Sequence, residues 1–153
     1  MLSDQSTGLL SYPAFVFFLF REFARYQRYG PPLAVVVFEI GMKMENEIVP
    51  IPPPVVVSIV EKIRSVASPL DMVCLIGGGE FAALLISRNA AGAMDFAAAL
   101  HDSLRDERLC TAIGAASIPE TCNHPEVLVA AARQAKEMAK TSPLPYILFP
   151  SQP

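Results

Sequence analysis

Asp71-Met72-Val73-Cys74-Leu75-Ile76-Gly77-Gly78-Gly79-Glu80-Phe81-Ala82-Ala83-Leu84-Leu85-Ile86 is the stretch on which the reading of this chain turns. Two apolar runs flank three successive glycines, so the spacing predicts a pair of strands joined by a tight turn at Gly77-Gly78-Gly79. Glycine-rich loops that cradle phosphate lead from a strand into a helix; this one leads from strand to strand, which excludes a P-loop and a dinucleotide-binding turn.

Working outward, residues 13–29 read as a helix that begins at Pro13 and stops at Gly30-Pro31-Pro32. Residues 33–40 are a valine-rich run without alternation, expected of a strand buried on both faces. Residues 41–54 are polar and then proline-rich, and are predicted as a loop. Val55, Val56, Ile59, Val60, Ile63 and Val66 recur with helical spacing before the hairpin. After it come a helix over 90–104, a buried strand over 111–117, a helix from His124 to Lys140 and a short strand over 146–149. This order predicts one α/β domain spanning residues 1–153, with a central mixed five-stranded sheet flanked by helices.

The bulk composition excludes several classes. Apolar residues make up 52% of 153 and charged residues 18%, so the chain has enough core to fold and is not disordered. Its longest apolar runs fall well short of the ~18 residues that a spanning helix needs. Met1-Leu2-Ser3-Asp4 lacks the basic start of a secretory signal. A net charge of −3 gives no general attraction to nucleic acid. Cys74, Cys110 and Cys122 form no paired motif and read as free thiols in a reducing compartment. The expected setting is cytoplasmic, without membrane insertion.

The glycine hairpin resembles the signature of GGDEF domains, the diguanylate cyclases, and the resemblance extends along nearly the whole chain. Asp4-Gln5-Ser6-Thr7-Gly8-Leu9-Leu10-Ser11-Tyr12-Pro13-Ala14-Phe15 keeps the spacing of the family's D-x-L-T-G-L-x-N-R-x-x-F opening. Phe38-Glu39-Ile40-Gly41-Met42-Lys43-Met44 is similar to F-D-I-D-x-F-K, and Ala112-Ile113-Gly114-Ala115-Ala116 to S-I-G-I-A. Ala132-Arg133 through Ala139-Lys140 follows the A-D…A-K helix. The resemblance implies the nucleotide cyclase-like fold.

It also implies that the chemistry is reduced. Diguanylate synthesis needs Mg²⁺ beside a triphosphate, and Mg²⁺ takes hard oxygen ligands. The family draws one carboxylate from the end of the first strand, where this chain has Glu39, and another from the third signature position, where it has Gly79. Gly41 replaces the second acid of the first-strand motif. Losing a metal ligand removes several kcal/mol of transition-state stabilisation, which at ~1.4 kcal/mol per tenfold is several orders of magnitude in rate. The guanine-holding stretch is replaced by Glu47-Ile48-Val49-Pro50 and prolines, the arginine before the glycines by Leu75, and the final G-R by Pro143-Leu144. Ser68-Pro69-Leu70-Asp71 stands at the family's product-binding R-x-x-D and keeps only the acid, so it lacks the stacking, bidentate arginine.

The leading expectation is therefore a non-catalytic GGDEF-like domain, serving as a protein-interaction or regulatory module in bacterial signalling, with no cofactor and no metal. Its partner would be a signalling protein or a second copy of the chain. Two alternatives stay open. One is a weak sensor of GTP or cyclic diguanylate that uses Glu39, Gly77, Gly78, Gly79, Glu80 and Lys140; the other is a residual cyclase. Active cyclases pair two domains through an N-terminal stalk, and three residues precede Asp4 here, so no such device is expected in the chain as it stands. The candidate partner face is on the first helix. Phe15, Leu19, Phe20, Phe23, Ala24 and Tyr26 are expected to point inward, while Arg21, Arg25 and Arg28 form a stripe outside, with Phe18 among them and Phe17 at its margin. His101 and His124 have no companion ligands at metal-binding spacing and read as structural or exposed.

Overall fold

The computed structural model describes Ser3 and residues 7–150; Asp4, Gln5 and Ser6 of the opening motif lie outside the described residues. Helix α1 (Tyr12–Tyr29) starts where Ser11 Oγ accepts the Ala14 N–H at 3.3 Å, with Pro13 in the first turn. Strands β1 (Leu33–Met44) and β2 (Glu47–Val49) follow, then α2 (Pro53–Val66) and the hairpin β3 (Met72–Gly77) and β4 (Glu80–Ile86). Helix α3 (Ala90–Ser103), strand β5 (Leu109–Ile118), α4 (Pro125–Lys140) and β6 (Tyr146–Leu148) follow among the described residues.

The sheet runs β3-β4-β1-β5-β6, with β2 paired to β1 beyond that path. Among the described strands β5 and β6 pair in parallel and the other pairs are antiparallel, so the sheet is mixed, as expected. Strand β1 lies at its centre and alternates between two cores. Ala34, Val36, Phe38 and Ile40 face α2 and α3, whereas Leu33, Val35 and Val37 face α1 and α4. That double burial explains the unbroken apolar run. On the α2 side, Phe38 stacks on Phe81 with ring centroids 5.3 Å apart.

The structure departs from the sequence expectations at two points. Residues 41–54, predicted as a loop, contain the end of β1 and all of β2, paired Met42 to Val49, Lys43 to Ile48 and Met44 to Glu47. The turn between them is Glu45-Asn46, with Glu45 at φ 57° and no glycine, so the usual hairpin signal is missing. Pro52, Pro53 and Pro54 lie just beyond, at the cap and first turn of α2.

The second departure is the docking face of α1. Phe18, expected among exposed arginines, is half-buried against the core, while Phe20 and Ala24, expected inside, are exposed. Phenylalanines at 15, 17, 18, 20 and 23 put apolar surface on nearly every side of this helix, so periodicity alone does not select the buried arc. Contact with the sheet selects Phe15 and Leu19 as the fully buried positions.

Candidate functional site

The hairpin forms as its glycines require. Gly77 pairs with Glu80, leaving Gly78 (φ 52°) and Gly79 (φ 85°) as the two turn residues. Positive φ at both positions is the backbone of a type I′ turn, which side-chain-bearing residues resist. Gly79 is further confined because its carbonyl accepts the Ile40 N–H at 2.9 Å. A Cβ built on Gly79 would lie 2.6 Å from the Ile40 carbonyl oxygen. The third signature position therefore lacks an acid and also lacks room for one in this backbone.

Glu39 and Glu80 are directly opposite each other in the β1–β4 register, on the sheet face that α4 covers. Two like charges facing across a ladder repel, and they need cations between them. Helix α4 supplies these. Its apolar stripe of Leu128, Ala132, Ala135 and Ala139 is interrupted by Lys136, a 2% exposed lysine. The Lys136 ammonium lies 2.7 Å from Glu39 Oε1 and 2.7 Å from Glu80 Oε2, and 3.2 Å from Glu137 Oε1. Arg133 grips Glu80 with two N–H groups, at 2.9 and 3.3 Å. Lys140 reaches Glu39 Oε2 at 2.8 Å and Glu137 Oε2 at 3.1 Å. Three carboxylates thus meet three cations, and the cluster is neutral.

The titration of these groups follows from the geometry. Burial works against the Glu39 carboxylate, but hydrogen bonds from Lys136 and Lys140 outweigh it and hold the group below the usual glutamate range. Burial likewise opposes charge on Lys136, and the three glutamates override it, so its pKa is raised. Lys140 is raised chiefly by its bond to Glu39.

Close approach of α4 makes this cluster possible. Gly114 of β5 lies against the helix backbone, and a Cβ there would overlap backbone atoms of Lys136, Ala132 and Ala135. No side chain stands between helix and sheet at that point, so Lys136 reaches the paired glutamates.

Of the residues singled out from sequence, Glu39, Glu80 and Lys140 meet in one cluster, with Gly77, Gly78 and Gly79 at its edge. Arg133, Lys136 and Glu137 were missed. A lysine in the apolar stripe of α4 was the available signal, since such a position is filled by a charge only when it is paired. Asp71, the surviving acid of the R-x-x-D position, is committed to structure. It accepts the N–H groups of Ser68 (2.9 Å) and Ile86 (3.2 Å) and pairs with Arg88 at 3.1 Å. His124 caps α4, its Nδ1 accepting the Glu126 N–H at 3.3 Å. Burial pushes the Cys74 thiol up to about 12, so it is inert.

The arrangement of strands, helices and glycine hairpin is the GGDEF-domain fold of diguanylate cyclases. The isolated GGDEF domain of YfiN (TpbB) from Pseudomonas aeruginosa matches with a TM-score of 0.83 at 23% identity, over 97% of this chain and 94% of that one. SiaD, a diguanylate cyclase from the same organism solved with its activator SiaC, matches at 0.78 and 22%, over 97% of this chain and 62% of SiaD. The GGDEF domain of DgcB from Caulobacter crescentus, solved with c-di-GMP, matches at 0.77 and 17%, over 98% and 94%. At these identities the likeness is one of fold. No protein-family model matches the chain, and no curated protein does.

The fold implies a magnesium site, and the residues present do not fit one. Among the described residues no three His, Cys, Asp or Glu side chains gather as a metal-ligand set. Glu39 and Glu80 each direct an oxygen to Lys136, whose ammonium supplies the positive charge between them. A dication would have to displace a buried lysine and then remain beside it. Among the described residues, no helix is long and apolar enough to cross a membrane.

Proposed function

We propose that this chain is a non-catalytic GGDEF-fold domain, working as a protein-interaction or regulatory module in bacterial, cytoplasmic cyclic diguanylate signalling. One observation carries the reading: Lys136 bridges Glu39 and Glu80 at 2.7 Å each, so the two acids nearest the glycine turn neutralise a lysine instead of ligating magnesium. The lack of space at Gly79 and the structural engagement of Asp71 support it. The partner face we assign is the exposed stripe of α1, made by Phe17, Phe20, Arg21, Arg25 and Arg28. Phe17 is 63% exposed, and Phe18 meets its ring edge-on from the buried side. Exposed aromatics among arginines have the composition of an interaction hot spot.

Calorimetry with GTP and with cyclic diguanylate, each with and without Mg²⁺, is expected to show no saturable heat, and GTP is expected to release no pyrophosphate. Micromolar nucleotide binding would replace this reading with a sensor. Pyrophosphate release that vanishes in Glu80→Ala would replace it with a cyclase. For the helix face, Phe17→Ala and Arg28→Glu should weaken partner capture with unchanged thermal stability, whereas Phe18→Ala should lower stability.

A further inference from the structure

Helix α1 carries an outward line of side chains that its own fold leaves uncovered. Phe17, Arg21, Ala24 and Arg28 are all exposed and follow at intervals of four, three and four, the spacing of a straight seam along one helix face. The line runs ~17 Å, with Phe20 on its flank. Ala24 is the small residue at its middle, so a second helix laid along the seam has room to approach closely.

The groups on this line are already held in place. The Phe18 ring meets Phe17 edge-on, with centroids 5.4 Å apart, and the Arg28 guanidinium lies 5.6 Å from the centre of the Tyr29 ring. Arg25, beside the seam, is tied to Glu22 at 3.1 Å. Side chains fixed before binding lose little freedom when a partner covers them. Among the described residues no acid pairs with Arg21 or Arg28, so both guanidinium charges are open to an outside counter-charge.

We infer that this seam receives an acidic amphipathic helix of a partner protein. The inference rests on α1 being the partner face, and names what that face takes. Charge selects the occupant. Arg21 and Arg28 stand seven residues apart, about 10 Å along the axis, so a helix with carboxylates at a seven-residue repeat pairs with both in either direction. Apolar residues between those acids then cover Phe17 and Ala24. A second copy of the same face brings arginines against arginines, and like charges oppose that pairing. An anionic bilayer is a field much wider than this line, and it repels the rest of a chain whose net charge is −3.

The test is fluorescence anisotropy of a labelled peptide of three heptads, with leucine at a and d and glutamate at e and g, beside a twin carrying lysine for glutamate. The acidic peptide is expected to bind with saturation and to weaken as salt is raised, while the lysine twin stays free. Phe17→Ala, and Arg21→Glu combined with Arg28→Glu, should each weaken the acidic peptide about tenfold or more at unchanged Tm. The double reversal should also capture the lysine twin, a gain that misfolding does not produce. Lack of saturation by the acidic peptide, equal binding of both peptides, or binding that survives the double reversal overturns the inference. Retention on phosphatidylcholine vesicles carrying phosphatidylglycerol, abolished by Phe17→Ala, would overturn it in favour of a lipid surface. A dimer in analytical ultracentrifugation that Phe17→Ala dissociates would overturn it in favour of a second copy. If Phe17→Ala weakens partner capture while no acidic helix binds, the face stands and this occupant falls. None of these results bears on the nucleotide calorimetry, so the non-catalytic reading is tested apart.

Discussion

Replacing Lys136 by methionine keeps most of the side-chain volume and removes the charge that separates Glu39 from Glu80. The magnitude follows from what each acid retains. Removing one partner of a buried ion pair typically costs about 3–5 kcal/mol, because the other charge is stranded. Here the loss is partly offset, since Arg133 still holds Glu80 at 2.9 Å and Lys140 still holds Glu39 at 2.8 Å. Glu39 is also about one-third exposed, so water screens it. A loss of about 3 kcal/mol is expected, which for a chain of this length lowers Tm by roughly 6–12 °C. The difference should depend on pH. Glu39 has its pKa lowered in the folded protein, so its contribution is present above the unfolded value and is lost as pH falls through the folded one. In Lys136→Met the two carboxylates face each other without the ammonium between them, and Glu39 loses one of the bonds that lower its pKa. The gap between wild type and variant should therefore close as the pH is taken below about 4. Lys136 and Lys140 have raised pKa values, so their contribution is complete below the unfolded lysine range and fades only in strong alkali. Thermal denaturation of both proteins across this range, followed by circular dichroism, measures the effect. A Tm difference under about 2 °C at neutral pH, or one that does not shrink in acid, would refute the bridging role of Lys136.

Two further substitutions probe the same architecture. Gly114→Ala places a methyl group against the backbone of Lys136, Ala132 and Ala135, so α4 must lift from β5; a loss of about 3 kcal/mol or more in urea denaturation is expected, and a near-neutral result would show that the helix does not lie this close. Gly79→Asp restores the acid of the signature, yet it forces a side chain into φ 85° and within 2.6 Å of the Ile40 carbonyl. It should cost about 1–3 kcal/mol and yield no pyrophosphate from GTP, whereas appearance of turnover would show that the missing acid alone had silenced the site.

Much of this protein is legible in its sequence, because local chemistry decides local structure. Three glycines between two apolar runs dictate a strand–turn–strand unit whatever surrounds them, and the unbroken run from Leu33 announces a strand covered on both faces. The absence of an acid at Gly79 is likewise written in the chain. The α1 face was not legible, since a helix with phenylalanines on nearly every side can dock along several arcs and only the sheet beneath selects one. The glutamate pair is the clearest case of tertiary decision. The sequence singles out Glu39 and Glu80 without naming their counter-charges, and Lys136 stands 97 positions from Glu39. Antiparallel register brings the two acids opposite each other, and the bare backbone of Gly114 lets α4 come near enough to set an ammonium between them. Sequence determined which charges the chain carries; long-range packing decided that they neutralise one another, because ion pairing depends on separation in space and side-chain type alone does not set it.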